Sequence, residues 1–226
     1  MRPLDQQSHK VQLMASFDTL HTADYSPLVV HFTKSDQMVR QDQIGEGDPL
    51  WQQRGTSAKA RLTNILTERT IYASPMPWLP TEHRAVCFTE CIWESLTLLA
   101  DRYSPYGVVF SKGLIFDKGG GPALYLRGDI LGATGNGIPQ QIQPFIAPFD
   151  PEATLRPGVR NDWLHEREWR LPNSLDFIYA DVEYVIVDTL LDGLDLVRQI
   201  GAQHLPESKV IPIEVYRSIK QAWRHQ

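Results

Sequence analysis

The stretch Trp163-Leu-His-Glu-Arg-Glu-Trp-Arg-Leu171 is the most informative part of the chain, because its aromatic and charged residues alternate. On a β-strand, side chains two residues apart lie on the same face of a sheet. Both tryptophans would then lie on one face, and Glu166, Glu168 and Arg170 would lie on the other. A helix would scatter the two sets around its axis, so the pattern predicts a strand over 163–171. From spacing alone, its charged face is either a chemical site or the solvated surface of an edge strand.

Hydrophobic periodicity outward from this stretch predicts further strands and helices. The run Leu28-Val-Val-His-Phe-Thr33 is β-branched and aromatic, as strands usually are. A helix is predicted over 58–69, with Thr56 or Ser57 as its N-cap. The same criteria predict strands over 70–74, 84–89, 106–112, 122–127, 182–187 and 210–213, and helices over 92–103, 190–200 and 215–223.

The order of these elements indicates the fold class. Strands outnumber helices and do not alternate with them one for one, which favours an α+β fold over a doubly wound parallel sheet. We expect one domain over 1–226, with 1–26 as an N-terminal extension that contains a short helix around 14–20. The segments 35–55 and 128–157 carry many glycines and prolines and are predicted to be irregular, apart from one short strand over 145–147.

Composition excludes several classes of protein. The chain has 226 residues, 42% of them hydrophobic, which is typical of a folded globular protein. Its formal net charge of -5 provides no general attraction for nucleic-acid phosphates, so any such contact must be local. No apolar run approaches the roughly 20 residues that cross a bilayer, and no apolar signal segment is present. With only Cys87 and Cys91, the chain has too few cysteines for a disulfide framework, and we expect a cytoplasmic protein.

Histidine and cysteine side chains offer further candidates. His31 and Thr33 share one face of the first predicted strand; the simplest interpretation is a buried histidine with satisfied ring nitrogens, and the alternative is a polar pair that binds a ligand. A metal site formed by His165 and Glu168 would need both on one side, which a strand forbids, so no metal is predicted. Cys87 is expected to pack as a small hydrophobe, and a nucleophilic thiol is the alternative.

Several short motifs, in their order along the chain, resemble the ADP-ribosyltransferase fold. His31-Phe-Thr33, followed by Leu62-Thr-Asn-Ile-Leu66 and Ile71-Tyr-Ala-Ser74, is similar to the opening of DarT-type toxins. The segments Val86-Cys-Phe-Thr-Glu90 and Tyr106-Gly-Val-Val-Phe110, together with 163–170, are similar to uncharacterised bacterial domains associated with phage defence and abortive infection, including AbiGi-type proteins.

The resemblance implies two small sheets around a cleft that binds NAD as substrate. Glu168 would stabilise the oxocarbenium-like ribose as nicotinamide leaves, and Glu166 would orient or deprotonate the acceptor. His31 would bind a ribose hydroxyl with support from Thr33, and Tyr72 or Ser74 would line the nicotinamide pocket. No tyrosine of the sequence clearly matches the stacking residue of the better-known classes.

These expectations define the functional hypotheses. The leading one is an ADP-ribosyltransferase that modifies nucleic acid or protein, as a bacterial toxin or phage-defence effector with a restraining partner protein and no membrane partner. The alternatives are an NAD glycohydrolase, a non-catalytic antitoxin-like or regulatory binding module, and a two-carboxylate glycosidase that needs no NAD. Because glutamine is isosteric with glutamate, Glu168→Gln is expected to abolish turnover and leave the fold almost intact.

Overall fold

The structure, a computed structural model, describes residues 25–34, 47–50, 56–76, 83–91, 95–134, 137–156, 159–161 and 164–223. Within these ranges it contains six α-helices and thirteen strands, eight of which form one open mixed sheet. The chain is therefore a mixed α+β protein, as predicted. The helix expected around 14–20 lies outside the described residues. None of the described helices combines the length and apolar character needed to span a bilayer.

The strands, in chain order, are β1 (Leu28–Phe32), β2 (Thr70–Ile71), β3 (Ser74–Pro75), β4 (Arg84–Glu90), β5 (Gly107–Ser111), β6 (Gly121–Pro122), β7 (Leu124–Arg127), β8 (Ile146–Arg156), β9 (Val159–Asn161), β10 (Glu168–Pro172), β11 (Leu175–Asp176), β12 (Tyr184–Val187) and β13 (Val210–Pro212). The helices are α1 (Ala58–Glu68), α2 (Leu96–Arg102), α3 (Lys112–Asp117), α4 (Gly128–Thr134), α5 (Leu190–Ile200) and α6 (Ile213–Trp223). Short 3₁₀ turns cover Gln143–Phe145, Leu164–Glu166, Tyr179–Asp181 and Glu207–Lys209.

The main sheet has the order β13-β12-β5-β1-β4-β10-β6, and β3 also pairs with β4. Its neighbouring strands are antiparallel except for the parallel pair β12 and β13. Two smaller sheets consist of β2 with β11 and of β7, β8 and β9. This order places β1 between β5 and β4, and places β4 between β1 and β10.

Helices cover both faces of the main sheet, because alternate residues of its strands are apolar on both sides. On one face, Val29 and Phe88 pack in a cluster that includes Leu62 and Leu66 of α1. On the other face, Val30 packs in a second cluster with Leu96 of α2. The inner strands are therefore buried on both sides, which explains why the sequence of β1 is an almost continuous apolar run.

For α1 and α5 the local signals gave the first residue of the helix correctly, whereas α2 begins at Leu96 and α6 at Ile213 instead of the predicted 92 and 215. Helix α1 begins after Ser57, whose Oγ accepts a hydrogen bond from the backbone N–H of Ala60 at 3.2 Å, as an N-cap does. Helix α5 covers 190–200 as predicted and begins after Thr189, which forms a reciprocal capping box with Asp192.

The strand predicted over 163–171 is wrong in its first half. Residues Leu164–Glu166 form a 3₁₀ turn, which the hydrogen bond from the Arg167 N–H to the Leu164 carbonyl closes at 3.2 Å. Arg167 then has a φ of 46°, a left-handed conformation that interrupts extended backbone. The strand begins only at Glu168, and Trp163 lies outside the described residues.

The segment 128–157 is more regular than its glycines and prolines suggest, and the short strand predicted over 145–147 is the start of a much longer one. It contains α4 and β8, the longest of the described strands. Proline weakens a strand because it lacks the N–H that a ladder needs. Pro151 is accommodated because it lies in the register shift between Asp150 and Thr154, where β8 and β9 pair irregularly. Likewise, the strand predicted to reach 112 ends at Ser111, whose Oγ caps α3 by accepting from the Leu114 N–H at 3.1 Å.

Candidate functional site

A buried ion pair lies at the start of β10. The Nε and Nη2 atoms of Arg170 donate to the two carboxylate oxygens of Glu168 at 2.9 Å each. Arg170, only 2% exposed, also donates through Nη1 to the Ile146 carbonyl, which ties β10 to the first residue of β8. This bidentate geometry fixes the orientation of the Glu168 carboxylate, whose side chain is 12% exposed.

A second carboxylate lies beside the first. Glu166, 6% exposed, is the last residue of the 3₁₀ turn and accepts a hydrogen bond from the Tyr103 hydroxyl. Burial raises the pKa of Glu166, and the nearby charge of Glu168 adds to the increase, against the opposing effects of Tyr103 and of the Arg102 guanidinium. Within the described part of the chain, Oε1 of Glu166 has no hydrogen-bond partner, although Nη2 of Arg102 lies 3.5 Å away.

Two tyrosines flank these carboxylates. Tyr103, at the end of α2, donates to Glu166, and its ring stacks on Phe32 with the ring centres 6.0 Å apart. The Tyr125 hydroxyl, from β7, accepts from the backbone N–H of Glu168 at 3.4 Å. Burial, with the charge of Glu168, raises the pKa of Tyr125 to about 12. Both phenols therefore stay protonated at neutral pH and can donate hydrogen bonds.

Three basic side chains surround the Tyr103 side of the site. The Lys34 ammonium lies 5.0 Å from the Tyr103 ring centre, and the Arg102 guanidinium lies 5.7 Å from it. Nη1 of Arg102 is 2.6 Å from Nε2 of His165, which is exposed. The paired acids thus have a cationic rim, although the chain as a whole is acidic.

Cys87 connects His31 to Glu168. The register between β1 and β4 consists of Val29 with Glu90 and Val30 with Thr89, so the regular ladder ends just before His31. Nδ1 of His31 donates instead to the Cys87 carbonyl at 2.9 Å. On the other side of β4, Cys87 lies opposite Arg170, and its thiol hydrogen-bonds with the Glu168 carboxylate. The early imidazole and the late acid are therefore one strand apart, with Cys87 between them.

His31 is half-buried in β1, and its lowered pKa predicts a pH-dependent stability. Burial lowers the pKa of His31 from 6.5 to about 4, so the unfolded chain binds a proton more readily than the folded one between these values. Above a pH of about 6.5, titration of His31 should leave the free energy of unfolding unchanged. As the pH falls to about 4, the free energy of unfolding should decrease by about 3 kcal/mol. Urea unfolding at several pH values measures this loss.

The matched control is His31→Asn, whose amide can donate to the Cys87 carbonyl but does not titrate. The difference in unfolding free energy between the wild type and His31→Asn should become smaller as the pH falls from about 6.5 to about 4, because only the wild type loses stability through this residue. Parallel curves of unfolding free energy against pH for the wild type and His31→Asn would contradict a lowered pKa of His31.

The other three predicted site residues lie elsewhere. Thr33 is buried, and its Oγ1 contacts the carbonyls of Ala58 and Tyr106 at 2.9 and 3.1 Å, so it ties β1 to α1. The Tyr72 hydroxyl hydrogen-bonds with Glu68, and burial together with that bond raises the pKa of Tyr72. Ser74 is exposed in β3. Among the described residues, no hydrogen bond or ion pair joins Tyr72 or Ser74 to Glu166, Glu168 or His31.

The opposite face of β10 carries a separate polar cluster. Glu90, buried, accepts from the Ser26 N–H at 2.7 Å and pairs with the Lys112 ammonium at 3.0 Å. The same ammonium lies 4.5 Å from the Tyr25 ring centre and 5.4 Å from that of Trp169. The charges of Glu90 and Lys112 therefore compensate each other, and the hydrogen bond from Ser26 fixes the chain just before β1. Glu90 and Lys112 form a second buried ion pair, which can be compared with Glu168 and Arg170.

Sequence reasoning found the two carboxylates but missed Tyr103, Tyr125 and Arg102 as their neighbours. Tyr103 is the last residue of the helix predicted over 92–103, and no local pattern links it to Glu166, more than sixty residues away. The described residues contain no group of three or more His, Cys, Asp or Glu side chains arranged to hold a metal ion.

Comparison of the chain with protein-family models, with curated proteins and with solved structures finds no match in any of the three.

Proposed function

We propose that this protein is an ADP-ribosyltransferase that cleaves NAD and transfers the ADP-ribose to a nucleic-acid or protein acceptor. The observation that carries the proposal is the pair of adjacent carboxylates in unlike environments. Glu168 is held by a bidentate guanidinium, whereas Glu166 is buried with a raised pKa and an oxygen lacking a hydrogen-bond partner within the described residues. Two neighbouring acids with such different surroundings are typical of glycosyl-transfer sites.

In the proposed reaction, the bond between the ribose C1′ and the nicotinamide nitrogen breaks, and its electron pair neutralises the pyridinium ring. The positive charge that develops on the ribose would lie beside the fixed carboxylate of Glu168, which stabilises it without reorganisation. The acceptor nucleophile then forms the new bond to C1′ and gives its proton to Glu166. A raised pKa makes Glu166 a better base for that step than an ordinary glutamate.

Two further features support the choice of NAD over another glycoside. The motifs at 31–33, 62–74 and 166–168 resemble ADP-ribosyltransferases, and the Cys87 carbonyl holds the His31 ring one strand away from Glu168. We propose that His31 and the hydroxyls of Tyr103 and Tyr125 hydrogen-bond the ribose and the nicotinamide amide. Tyr72 and Ser74, on another part of the fold, are given no role in this proposal.

Incubation of the purified protein with NAD labelled in the adenine tests the function. We expect label on a macromolecule when DNA, RNA or a protein extract is supplied, and release of nicotinamide at the same rate. Free labelled ADP-ribose alone, with water as acceptor, would identify a glycohydrolase instead. Cleavage of a simple aryl glycoside without NAD would identify a glycosidase.

One observation favours a second candidate, a non-catalytic binding module. The Glu168 carboxylate already has a full guanidinium partner and is largely buried, as in ion pairs that only stabilise a fold. In that case, NAD would be neither consumed nor bound. Isothermal calorimetry with NAD distinguishes this candidate from a transferase that merely lacks its acceptor, because the latter still binds the dinucleotide.

A further inference from the structure

Two cations from different elements meet at the ring of Tyr103. Lys34 follows the end of β1 and Arg102 ends α2, yet the Lys34 ammonium and the Arg102 guanidinium lie 5.0 and 5.7 Å from the centre of this one ring. Lys34 is exposed, and within the described residues it has no carboxylate partner. Burial raises the pKa of the Cys87 thiol, and the charge of Lys34 is among the effects that oppose the increase. The Lys34 ammonium therefore lies near the candidate site.

Neighbouring side chains hold the guanidinium of Arg102 in position. Its Nη1 lies 2.6 Å from Nε2 of the exposed His165, and because arginine can only donate, Nε2 accepts and carries no proton in this arrangement. Its Nη2 lies 3.5 Å from Oε1 of Glu166. A guanidinium has five N–H groups, so it can bind an acceptor of a ligand in addition to such contacts. Arg102 therefore presents an oriented cation beside Lys34.

The acids near Tyr103 do not neutralise both cations. Burial raises the pKa of Tyr103, and the two acids that add to the increase are Glu166 and Glu168. Glu168 is matched by the guanidinium of Arg170, and Asp101, the neighbour of Arg102 in the chain, pairs with a guanidinium of α6. Among the described residues, this leaves Glu166 to balance two cations. The charge at this position is therefore positive, in contrast to the net charge of the chain.

A phosphate suits the two cations better than a carboxylate does. Lys34 is a point charge that binds an anion from any direction, whereas Arg102 offers a planar set of donors. The oxygens of a phosphate point in several directions and can meet two cations that approach from different elements. The two oxygens of a carboxylate lie in one plane, which suits a single guanidinium, as in the pair of Arg170 with Glu168.

The unpartnered oxygen of Glu166 requires a second feature in the ligand. Oε1 is buried and has no hydrogen-bond partner within the described residues, and a buried acceptor of this kind costs free energy. A hydroxyl of the ligand would supply the missing donor. We propose that Lys34, Arg102 and Glu166 form a binding subsite for a phosphorylated sugar, with the phosphate on the two cations and a sugar hydroxyl on Oε1. The inference concerns binding and does not depend on cleavage of NAD.

Ribose 5-phosphate is the probe, and isothermal calorimetry measures its affinity. We expect binding to the wild-type protein that weakens as salt is raised. Ribose and inorganic phosphate should each bind at least about tenfold more weakly, because each keeps one half of the contacts. Lys34→Gln should weaken the binding of ribose 5-phosphate about tenfold. Lys34 is exposed, so circular dichroism should show an unchanged fold.

Two further variants separate the parts of the subsite. Lys118→Gln is the matched control, because it removes the same charge from an exposed lysine after α3, a helix that packs on the other face of the main sheet from Tyr103. It should leave the affinity for ribose 5-phosphate within about twofold of the wild type. Glu166→Ala should weaken the binding of ribose 5-phosphate but not that of inorganic phosphate, because it removes the acceptor of the hydroxyl and leaves both cations.

The outcomes distinguish this inference from the proposed function. Equal affinity of the wild type and Lys34→Gln for ribose 5-phosphate would overturn the subsite even if NAD is cleaved. Inorganic phosphate that binds as tightly as ribose 5-phosphate would also overturn it, since the hydroxyl would then contribute nothing. Binding that depends on Lys34 and Glu166 in a protein that leaves NAD intact would support the subsite and count against the transferase.

Discussion

Glu168→Gln is expected to lower the rate of NAD cleavage on the order of a thousandfold or more. Glutamine keeps the shape of the side chain but removes the negative charge that would stabilise the developing ribose cation. The loss should appear in kcat, with the affinity for NAD within a few-fold of the wild type, because the charge acts mainly in the transition state. Nicotinamide release, followed under single-turnover conditions, measures the effect on the bond-breaking step.

The structure alters one sequence-based expectation for this variant. The Arg170 guanidinium depends on Glu168 for its charged partner, so glutamine should destabilise the fold as well as lower the rate. Lys112→Met is the matched control, because it removes the closer of the two cations that pair with the buried Glu90 of β4. If both variants lose stability and only Glu168→Gln loses activity, the activity loss is chemical. Undiminished cleavage by folded Glu168→Gln would rule out the proposed mechanism.

Short-range signals predicted most of the secondary structure. The apolar run at 28–33 gave β1, and the spacing of Leu62, Ile65 and Leu66 gave α1 together with its cap at Ser57. Such signals work because the residues that set the element are within one or two turns of each other. The same reasoning found only the start of β8, at 145–147, because the prolines that follow indicated a loop and pairing with β7 and β9 extends the strand.

The candidate site was predicted from strand alternation, which applies to Glu168 but not to Glu166. Alternation placed Glu166 and Glu168 on one face of a strand, but Glu166 belongs to a 3₁₀ turn that ends at the left-handed Arg167. The two acids are still neighbours, because the turn folds Glu166 back against Tyr103. That contact is set by tertiary packing between α2 and the turn, and no period in the sequence encodes it. Tyr125 and Arg102 could not be predicted as neighbours of the two acids, because tertiary packing alone brings them there.

The side-chain partners of Arg170 were likewise hidden in the sequence. Alternation along β10 correctly places Arg170 on the same face as Glu168, because the two residues are two positions apart, on either side of Trp169. Its near-complete burial and its bond to the Ile146 carbonyl arise only when β8 begins next to β10. A charged residue in a strand is usually exposed to solvent. Arg170 is instead buried, and it joins β10 of the main sheet to β8 of a smaller sheet.

Arg170→Met is therefore expected to reduce the free energy of unfolding by about 3 to 5 kcal/mol, a large part of the stability of a typical domain. The replacement leaves the Glu168 carboxylate buried without its guanidinium, and it leaves the Ile146 carbonyl without a donor. Urea unfolding at neutral pH, followed by circular dichroism and by tryptophan fluorescence, measures the change. Coincident transitions by the two probes would justify a two-state treatment.

The double variant Glu168→Met with Arg170→Met distinguishes an ion pair from simple loss of packing. Most of the cost of the single variant comes from one uncompensated buried charge, so removing the second charge should restore at least about half of the lost stability. A double-mutant cycle would then give a coupling energy of more than about 1 kcal/mol. If the two losses add, the guanidinium does not hold the Glu168 carboxylate, and the fixed orientation of Glu168 on which the proposed chemistry depends would need another source.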